Sequence, residues 1–304
     1  MIRKNIVCKK KKEETPVAFV DFHVHTLRSD GTETPESILA QARACGIGTL
    51  AITDHNYALD PAPYREAYAD IRLIQGCEFS SKYLNSKGKE QELHIVGLGF
   101  DPNHPLIQEV LRKNQPDRKP YINAILAKLR ELDIHVGTYE ELMAEHPGSL
   151  HVGRTHIAMK MHRLGYVNSP EEAFDEYIGG FGRRRAYVEN PLTYVSPQEC
   201  IRAIREAGGI PILAHLYYYQ LEEAEQRELL RLFKSLAGDR AGIETDYAAY
   251  TPEQRESLRR LAKEYALLPS AASDYHGKHK GETLAQGFPS EDFQALLSAL
   301  GINE

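Results

Sequence analysis

Short apolar runs that end on a histidine or an acid alternate along this chain with helical stretches, and that alternation constrains the fold more than any other feature. The runs lie at 48–53, 71–77, 210–214, 241–245 and 267–273. Between them, Thr34-Pro35-Glu36 opens a helix that should stop at Cys45-Gly46, and 60–70 looks helical. Ser196-Pro197-Gln198-Glu199 starts a helix to Glu206, 222–236 is another, Thr251-Pro252-Glu253-Gln254 opens the next and Ser290 the last. The starts at Thr34, Ser196 and Thr251 each pair an N-cap hydroxyl with a proline at the first helical position. Strands joined through helices need crossover connections, which favour a parallel sheet with helices outside. The chain therefore reads as α/β, either a closed (β/α) barrel or an open doubly wound sheet, and both architectures build sites at strand C-termini.

The ends of the runs favour the barrel, because a ring gathers side chains from many strands at one centre. In the strand at 20–26, alternation puts His23 and His25 on one face and Phe22 and Val24 on the other. Two imidazoles, the commonest side-chain metal ligands, are thereby aimed together. Asp30 follows in a glycine-containing turn, His55 ends the next strand, the strand after that delivers Glu78, and a run at 93–100 carries His94. His215, Asp274 and His276 end later strands. Six imidazoles and three carboxylates exceed the needs of one tetrahedral ion and suit two or three divalent ions in a mixed nitrogen and oxygen environment.

With 304 residues, 42% of them hydrophobic and 26% charged, the chain is globular. It has no apolar run of about 18 residues, so no membrane span is expected. A net charge of −6 argues against a surface for duplex nucleic acid and leaves room for a local phosphate site. Cys8, Cys45, Cys77 and Cys200 show no C-x-x-C spacing and read as free thiols of a cytoplasmic protein. Residues 1–15, with Lys9 to Lys12, lack the apolar core of a signal peptide and read as a disordered tail. The pattern changes at 101–190, where helical spacing over 119–132, 138–145 and 155–164 runs without a strand. Barrel segments at 16–100 and 191–304 thus carry a helical insertion expected to shape the substrate site.

The sequence resembles the PHP superfamily, named for polymerase and histidinol phosphatase. The likeness rests on Asp21-Phe22-His23-Val24-His25-Thr26, Ser29-Asp30-Gly31, Thr53-Asp54-His55, Glu78, Ala214-His215 and Ser273-Asp274-Tyr275-His276. It implies a distorted seven-stranded, TIM-like (β/α) barrel with a trinuclear site. Carried over by position, His23, His25, Glu78 and Asp274 would hold one ion, and Glu78 would bridge to a second held by His94 and His215. Asp30, His55 and His276 would hold the third. Manganese, iron and zinc all suit such a donor set. Neighbouring ions lower the pKa of a bridging water and orient the hydroxide for in-line attack on phosphorus, so no side-chain nucleophile is required. Asp30 and His276 are the residues expected to take part directly, with either a metal-bound water or His276 as the proton source for the leaving alkoxide.

Gly153-Arg154-Thr155-His156 resembles the Gly-Arg-Pro-His segment of the nucleotide-phosphatase branch, with Thr155 in place of Pro. The resemblance implies that Arg154 and His156 grip the substrate phosphate. The branch continues its third motif as Ala-His-Pro, whereas here His215 is followed by Leu216-Tyr217-Tyr218-Tyr219, rings that either stack on a base or pack the barrel rim. The expected activity is hydrolysis of a phosphomonoester of a small nucleotide, AMP or a 3',5'-bisphosphonucleoside. The alternatives are histidinol-phosphate phosphatase, a 5'-3' oligoribonucleotide exonuclease, and a silent module that binds metal or nucleotide. No protein partner is read from the sequence.

Overall fold

The computed structural model describes residues 19–85, 87–115, 117–189, 194–277, 284 and 287–302. Its strands are β1 (Phe19–Val24), β2 (Ile47–Ile52), β3 (Arg72–Leu84), β4 (Glu90–Leu98), β5 (Ile210–Leu213), β6 (Gly242–Tyr247), β7 (Leu268–Ala272) and β8 (Phe288–Pro289). They form one sheet in the order β7-β6-β5-β4-β3-β2-β1-β8. The ring nearly closes where chain beyond β7 meets β1: the Asp274 amide donates to the His23 carbonyl and the His25 amide to the Tyr275 carbonyl, both at 2.9 Å. The fold is the expected TIM-like α/β barrel. The amino-terminal tail lies outside the described residues.

Helices α1 (Pro35–Ala44), α2 (Pro105–Asn114), α3 (Lys119–Glu131), α4 (Tyr139–Glu145), α5 (Arg154–Arg163) and α6 (Pro170–Ala173) precede α7 (Pro197–Glu206). The chain finishes with α8 (Glu223–Ala237), α9 (Pro252–Glu264) and α10 (Gln294–Ala299). Ser196 and Glu199 close the capping box of α7, and Thr251 and Gln254 do the same for α9. One core cluster gathers Val20, Ala51, Ile74, Val96, Ile212 and Ala271 from six strands, with Phe293 and Leu296 packed against it. A second lies between strands and helices, with Phe79 and Ile95 against Ile201, Ile204 and Phe233.

Three expectations need correction. The run at 60–70 holds a single 3-10 turn, Ala62–Tyr64; Pro61 and Pro63 remove amide donors there, and most of the segment's side chains are exposed. The sheet is not parallel throughout, because β4 runs antiparallel to both β3 and β5. A short polar turn joins β3 to β4, with Asn85 Oδ1 accepting from the Lys87 and Lys89 amides at 3.0 and 2.9 Å, and so short a connection makes a hairpin. Simple alternation also fails in β1. Its register to β2 shifts between Asp21 and Val24, so Phe22 packs with Phe293 while Val24 packs against Ile38 and Leu39 of α1. An irregularity of this kind re-aims side chains at a strand end.

Because β4 runs away from the strand ends that carry the histidines, α2 must climb back to them, and α7 descends again to start β5. Residues 119–189 are carried on that side and share a core of their own, with Ile122, Ile125, Leu129, Leu142, Ile157 and Met161. Buried Asn114 ties the neck: its Nδ2 donates to Asn56 Oδ1 at 2.8 Å and to the Ser80 carbonyl at 2.7 Å, and its Oδ1 accepts from the Val195 amide at 3.1 Å.

Candidate metal centre

Every strand-end residue named from the sequence converges on one place. Glu78 stands at its middle, 1% exposed. Its Oε2 lies 3.3 Å from His23 Nε2, 3.2 Å from His25 Nε2 and 3.0 Å from His55 Nδ1. Its Oε1 lies 2.8 Å from His94 Nδ1 and 3.0 Å from His215 Nε2. Asp274 Oδ1 approaches His25 Nε2 at 3.2 Å, and Asp30 Oδ1 approaches His276 Nε2 at 3.3 Å. His215 and Asp274 take left-handed backbone angles, φ 29° and 51°. Non-glycine residues rarely adopt that region, and such strain gathers at functional sites.

The outward ring nitrogens of three of the histidines are spoken for, while buried His215 Nδ1 makes no hydrogen bond among the described residues. His23 Nδ1 is 2.6 Å from Glu244 Oε1, whose other oxygen accepts from the His215 amide at 2.7 Å. His276 Nδ1 donates to the Asp274 carbonyl at 2.7 Å, and His94 Nε2 sits 3.4 Å from Glu92 Oε1. Each partner fixes a tautomer with the proton outward and a lone pair inward, the arrangement a metal ligand requires. The inward atoms then crowd: His23 Nε2 and His25 Nε2 are 3.0 Å apart, and His94 Nδ1 and His215 Nε2 3.2 Å. Glu78 Oε2, buried, makes no hydrogen bond among the described residues. Lone pairs brought this close need a cation between them, so the donor set fits divalent metal. Among the described residues, three groups have atoms close enough to share an ion: His25, Asp30, His55 and His276; His23, His25 and Asp274; His55, Glu78 and His94.

The electrostatics agree. Burial alone would raise the Glu78 carboxyl, but His55, His94, His23 and His215 outweigh it and hold the group well below the usual carboxylate range. Burial would likewise raise Asp30, and His276, His55 and His25 pull it well below. Burial would lower His94 and His23; Glu78 above all lifts both well above the ordinary imidazole value. Around this centre Asp54, buried, accepts from the Thr26 amide at 2.8 Å, Thr26 Oγ1 at 2.7 Å and Ser29 Oγ at 2.7 Å, bracing the turn that carries Asp30.

A pocket of about 190 Å³ opens beside the centre, with Asp30, His55 and His94 on one wall and Arg154 and His156 on the other. His156 Nδ1 accepts from the Gly153 amide at 3.0 Å. Glu92, Arg118 and His151 also line it and were not singled out in the sequence. Glu92 lies in β4 two residues before His94, a same-face spacing that was its one signal; Arg118 and His151 lie at no strand end and in no run with helical spacing, and His151, two residues before Gly153, offered only proximity. Burial first, then Arg118 and His156, push the His151 imidazole down to about 3, so it stays neutral. Of the tyrosines after His215, Tyr219 is rim packing, its hydroxyl accepting from the His94 amide at 2.9 Å. Tyr217 packs on Tyr250, while Tyr218 is 60% exposed.

A barrel whose strand ends gather imidazoles and carboxylates around buried Glu78 defines a metal-dependent hydrolase site. The chain belongs to the PHP domain family, whose model matches residues 21–268. It is 32% identical over 258 residues to a 5'-3' exoribonuclease of Haemophilus influenzae, covering 84% of this chain and 89% of that one. It is 26% identical over 267 residues to a 3',5'-nucleoside bisphosphate phosphatase of Chromobacterium violaceum, covering 87% and 90%. The crystal structure of a Bifidobacterium adolescentis protein assigned as a metal-dependent phosphoesterase superposes with a TM-score of 0.74 at 26% identity, covering 94% of this chain and 98% of that one. The chain is a metal-dependent phosphoric ester hydrolase. Among the described residues no helix is long and apolar enough to cross a membrane.

Proposed function

We propose that this chain hydrolyses a phosphomonoester of a small nucleotide, AMP or a 3',5'-bisphosphonucleoside, in the pocket beside the metal centre. The observation that carries the reading is the pairing of that centre with Arg154 and His156 across a space of about 190 Å³. His23, His25, Glu78 and Asp274 would hold one ion, Glu78 would be shared with a second at His94 and His215, and Asp30, His55 and His276 would hold a third. Two or three bound ions of manganese, iron or zinc would supply Lewis acidity and a lowered pKa for water. Arg154 is the first residue of α5, so a phosphate there meets a guanidinium and a helix N-terminus together. His156 accepts a backbone hydrogen bond at Nδ1, which leaves Nε2 as the proton-bearing atom. Asp30 lines the same space and His276 Nε2 lies 3.3 Å behind it; these are the residues proposed to handle the proton taken up by the leaving oxygen. The helical insertion at 101–190 supplies the substrate-facing wall. Free Cys45, Cys77 and Cys200 support a cytoplasmic protein.

A second reading is 5'-3' cleavage of short RNA, favoured by the 32% identity to a protein of that description. The test is phosphate release by manganese-reconstituted protein, with and without chelator. Its substrates are AMP, adenosine 3',5'-bisphosphate, histidinol phosphate and a 5'-phosphorylated oligoribonucleotide, with chain shortening followed in parallel. Chelator-sensitive release from a mononucleotide is expected. Turnover of histidinol phosphate alone, or of nothing despite full metal occupancy, would overturn the reading.

A further inference from the structure

Beyond Arg154 the pocket does not end. A cleft of about 770 Å³ continues from it, sharing Glu92, Arg154 and Phe174, and runs between the β3–β4 hairpin and the segment 174–189. The space beside the metal centre is sized for one nucleotide unit, so a chain that continues beyond that unit extends into the cleft.

Its lining has one recurring device. Arg154 lies over the ring of Phe174 at 5.9 Å, Lys89 over Phe181 at 5.9 Å, and Arg184 over Tyr187 at 3.9 Å. Each ring thus comes with a cation. A nucleotide offers the complement, an aromatic face joined to an anion. Among the described lining residues, carboxylates match the cations in number, so these residues make no general trough for a polyanion. Two of them are already engaged, Glu90 by Lys82 at 2.9 Å and Glu92 by His94 at 3.4 Å. Recognition would therefore rest on the ring faces, with the cations setting the register of the phosphates.

Phe181 is the least satisfied of the three rings, 65% exposed although large and apolar. Its position is built. It stands between Gly180 and Gly182, and a side chain at Gly182, φ +75°, would collide with the Asp175 carbonyl. Arg184 itself takes a positive φ of 52°, a strained angle for arginine. A loop that tolerates such strain to hold a phenylalanine in water over a cleft leading to a phosphoesterase centre is shaped for a ligand with a flat face.

We propose that Phe181, with Lys89, Arg184 and Tyr187, forms a second nucleotide subsite that stacks a base of a single-stranded oligonucleotide beyond the unit bound at Arg154. This rests on the nucleotide reading of the site and adds a chain-length preference with named residues. The subsite makes oligonucleotides better substrates than the mononucleotide, and Phe181 is the residue that reads the difference.

The test compares holoenzyme and its Phe181→Ala and Phe181→Trp variants on AMP and on a 5'-phosphorylated tetraribonucleotide with 2-aminopurine as its second base. Stacking would be read in a stopped-flow as fluorescence quenching before hydrolysis, and kcat and KM at steady state. Alanine should lower kcat/KM for the tetranucleotide by about tenfold, mainly through KM, and abolish the quenching. AMP turnover should not change, and tryptophan should restore both readouts. Equal losses on the two substrates, an unaffected tetranucleotide, or no quenching by the unaltered protein would overturn the subsite. Quenching by an enzyme that hydrolyses neither substrate would uphold the subsite and sink the proposed activity instead.

Discussion

The pocket beside the metal centre and the cleft share Glu92, Arg154 and Phe174, yet the centre and the cleft are held together differently. In the centre, buried groups fix one another: Glu244 orients His23 and the His215 backbone, and Asp54 clamps Thr26 and Ser29. In the cleft, exposed side chains lie over rings at the ends of a hairpin and a glycine-flanked loop. A buried polar network fails when one member is lost, because the remaining groups are stranded away from water. An exposed ring–cation pair loses only its own contribution. The chemistry is thus placed where error is costly, and selectivity where change is tolerated.

The largest effect should follow from breaking the centre. His25→Ala removes a nitrogen that faces both Glu78 and Asp274. Turnover of every phosphoester should fall by more than about a hundredfold, beyond the loss typical of an outer-sphere partner, with metal content measured alongside. Chelation should do the same reversibly and lower Tm, since ions that bind only the folded chain stabilise it by mass action. Retained activity in His25→Ala would dissolve the contrast between the two regions.

Glu244→Gln tests the orienting layer without touching the inward atoms. The amide keeps the size but loses the charge beside His23 Nδ1, 2.6 Å away. Metal affinity or activity should drop by about 10- to 100-fold, read by metal titration and kcat. Next is Arg154→Lys, which keeps a charge at the mouth of the cleft but not the fork. KM for a nucleotide should rise by about tenfold, the worth of one charge-assisted hydrogen bond, with metal content unchanged. A fall in metal content would mean that Arg154 supports the centre instead.

The same contrast decides what could be read from sequence. His23, His25, His55, Glu78, His215, Asp274 and His276 were visible because each follows or ends an apolar run, and a ring of strands brings strand ends together. Glu244 lies in the run at 241–245, but nothing in the sequence marks it as the group that orients His23, because that role depends on the distance between two strands. The irregularity in β1 was illegible for a similar reason: its register is set against β2. The β3–β4 hairpin did leave a signal, Asn85 and Gly88 between two β-rich runs, which the helix-and-strand alternation overshadowed. Arg118, His151 and Phe181 had none, since loop residues carry no periodicity and gain their neighbours only through the packing of the helical unit.

The smallest effect bears on what joins the two regions. Asn114→Ala deletes hydrogen bonds to Asn56, Ser80 and Val195 at the neck through which the chain leaves and rejoins the barrel. Asn56 Oδ1 still accepts from the Ser80 amide at 3.0 Å, so that partner stays satisfied. The Val195 amide loses its acceptor in a buried place, where an unmade hydrogen bond costs about 1–3 kcal/mol. Tm should fall by about 2–4 °C per kcal/mol lost, read by thermal denaturation of the metal-loaded protein. Because the centre takes no ligand from the helical unit, kcat should change less than KM, and limited proteolysis should cut first within 119–189. An equal loss in kcat, with cleavage spread over the barrel, would show that neck and centre unfold as one and that the two regions differ in exposure but not in stability.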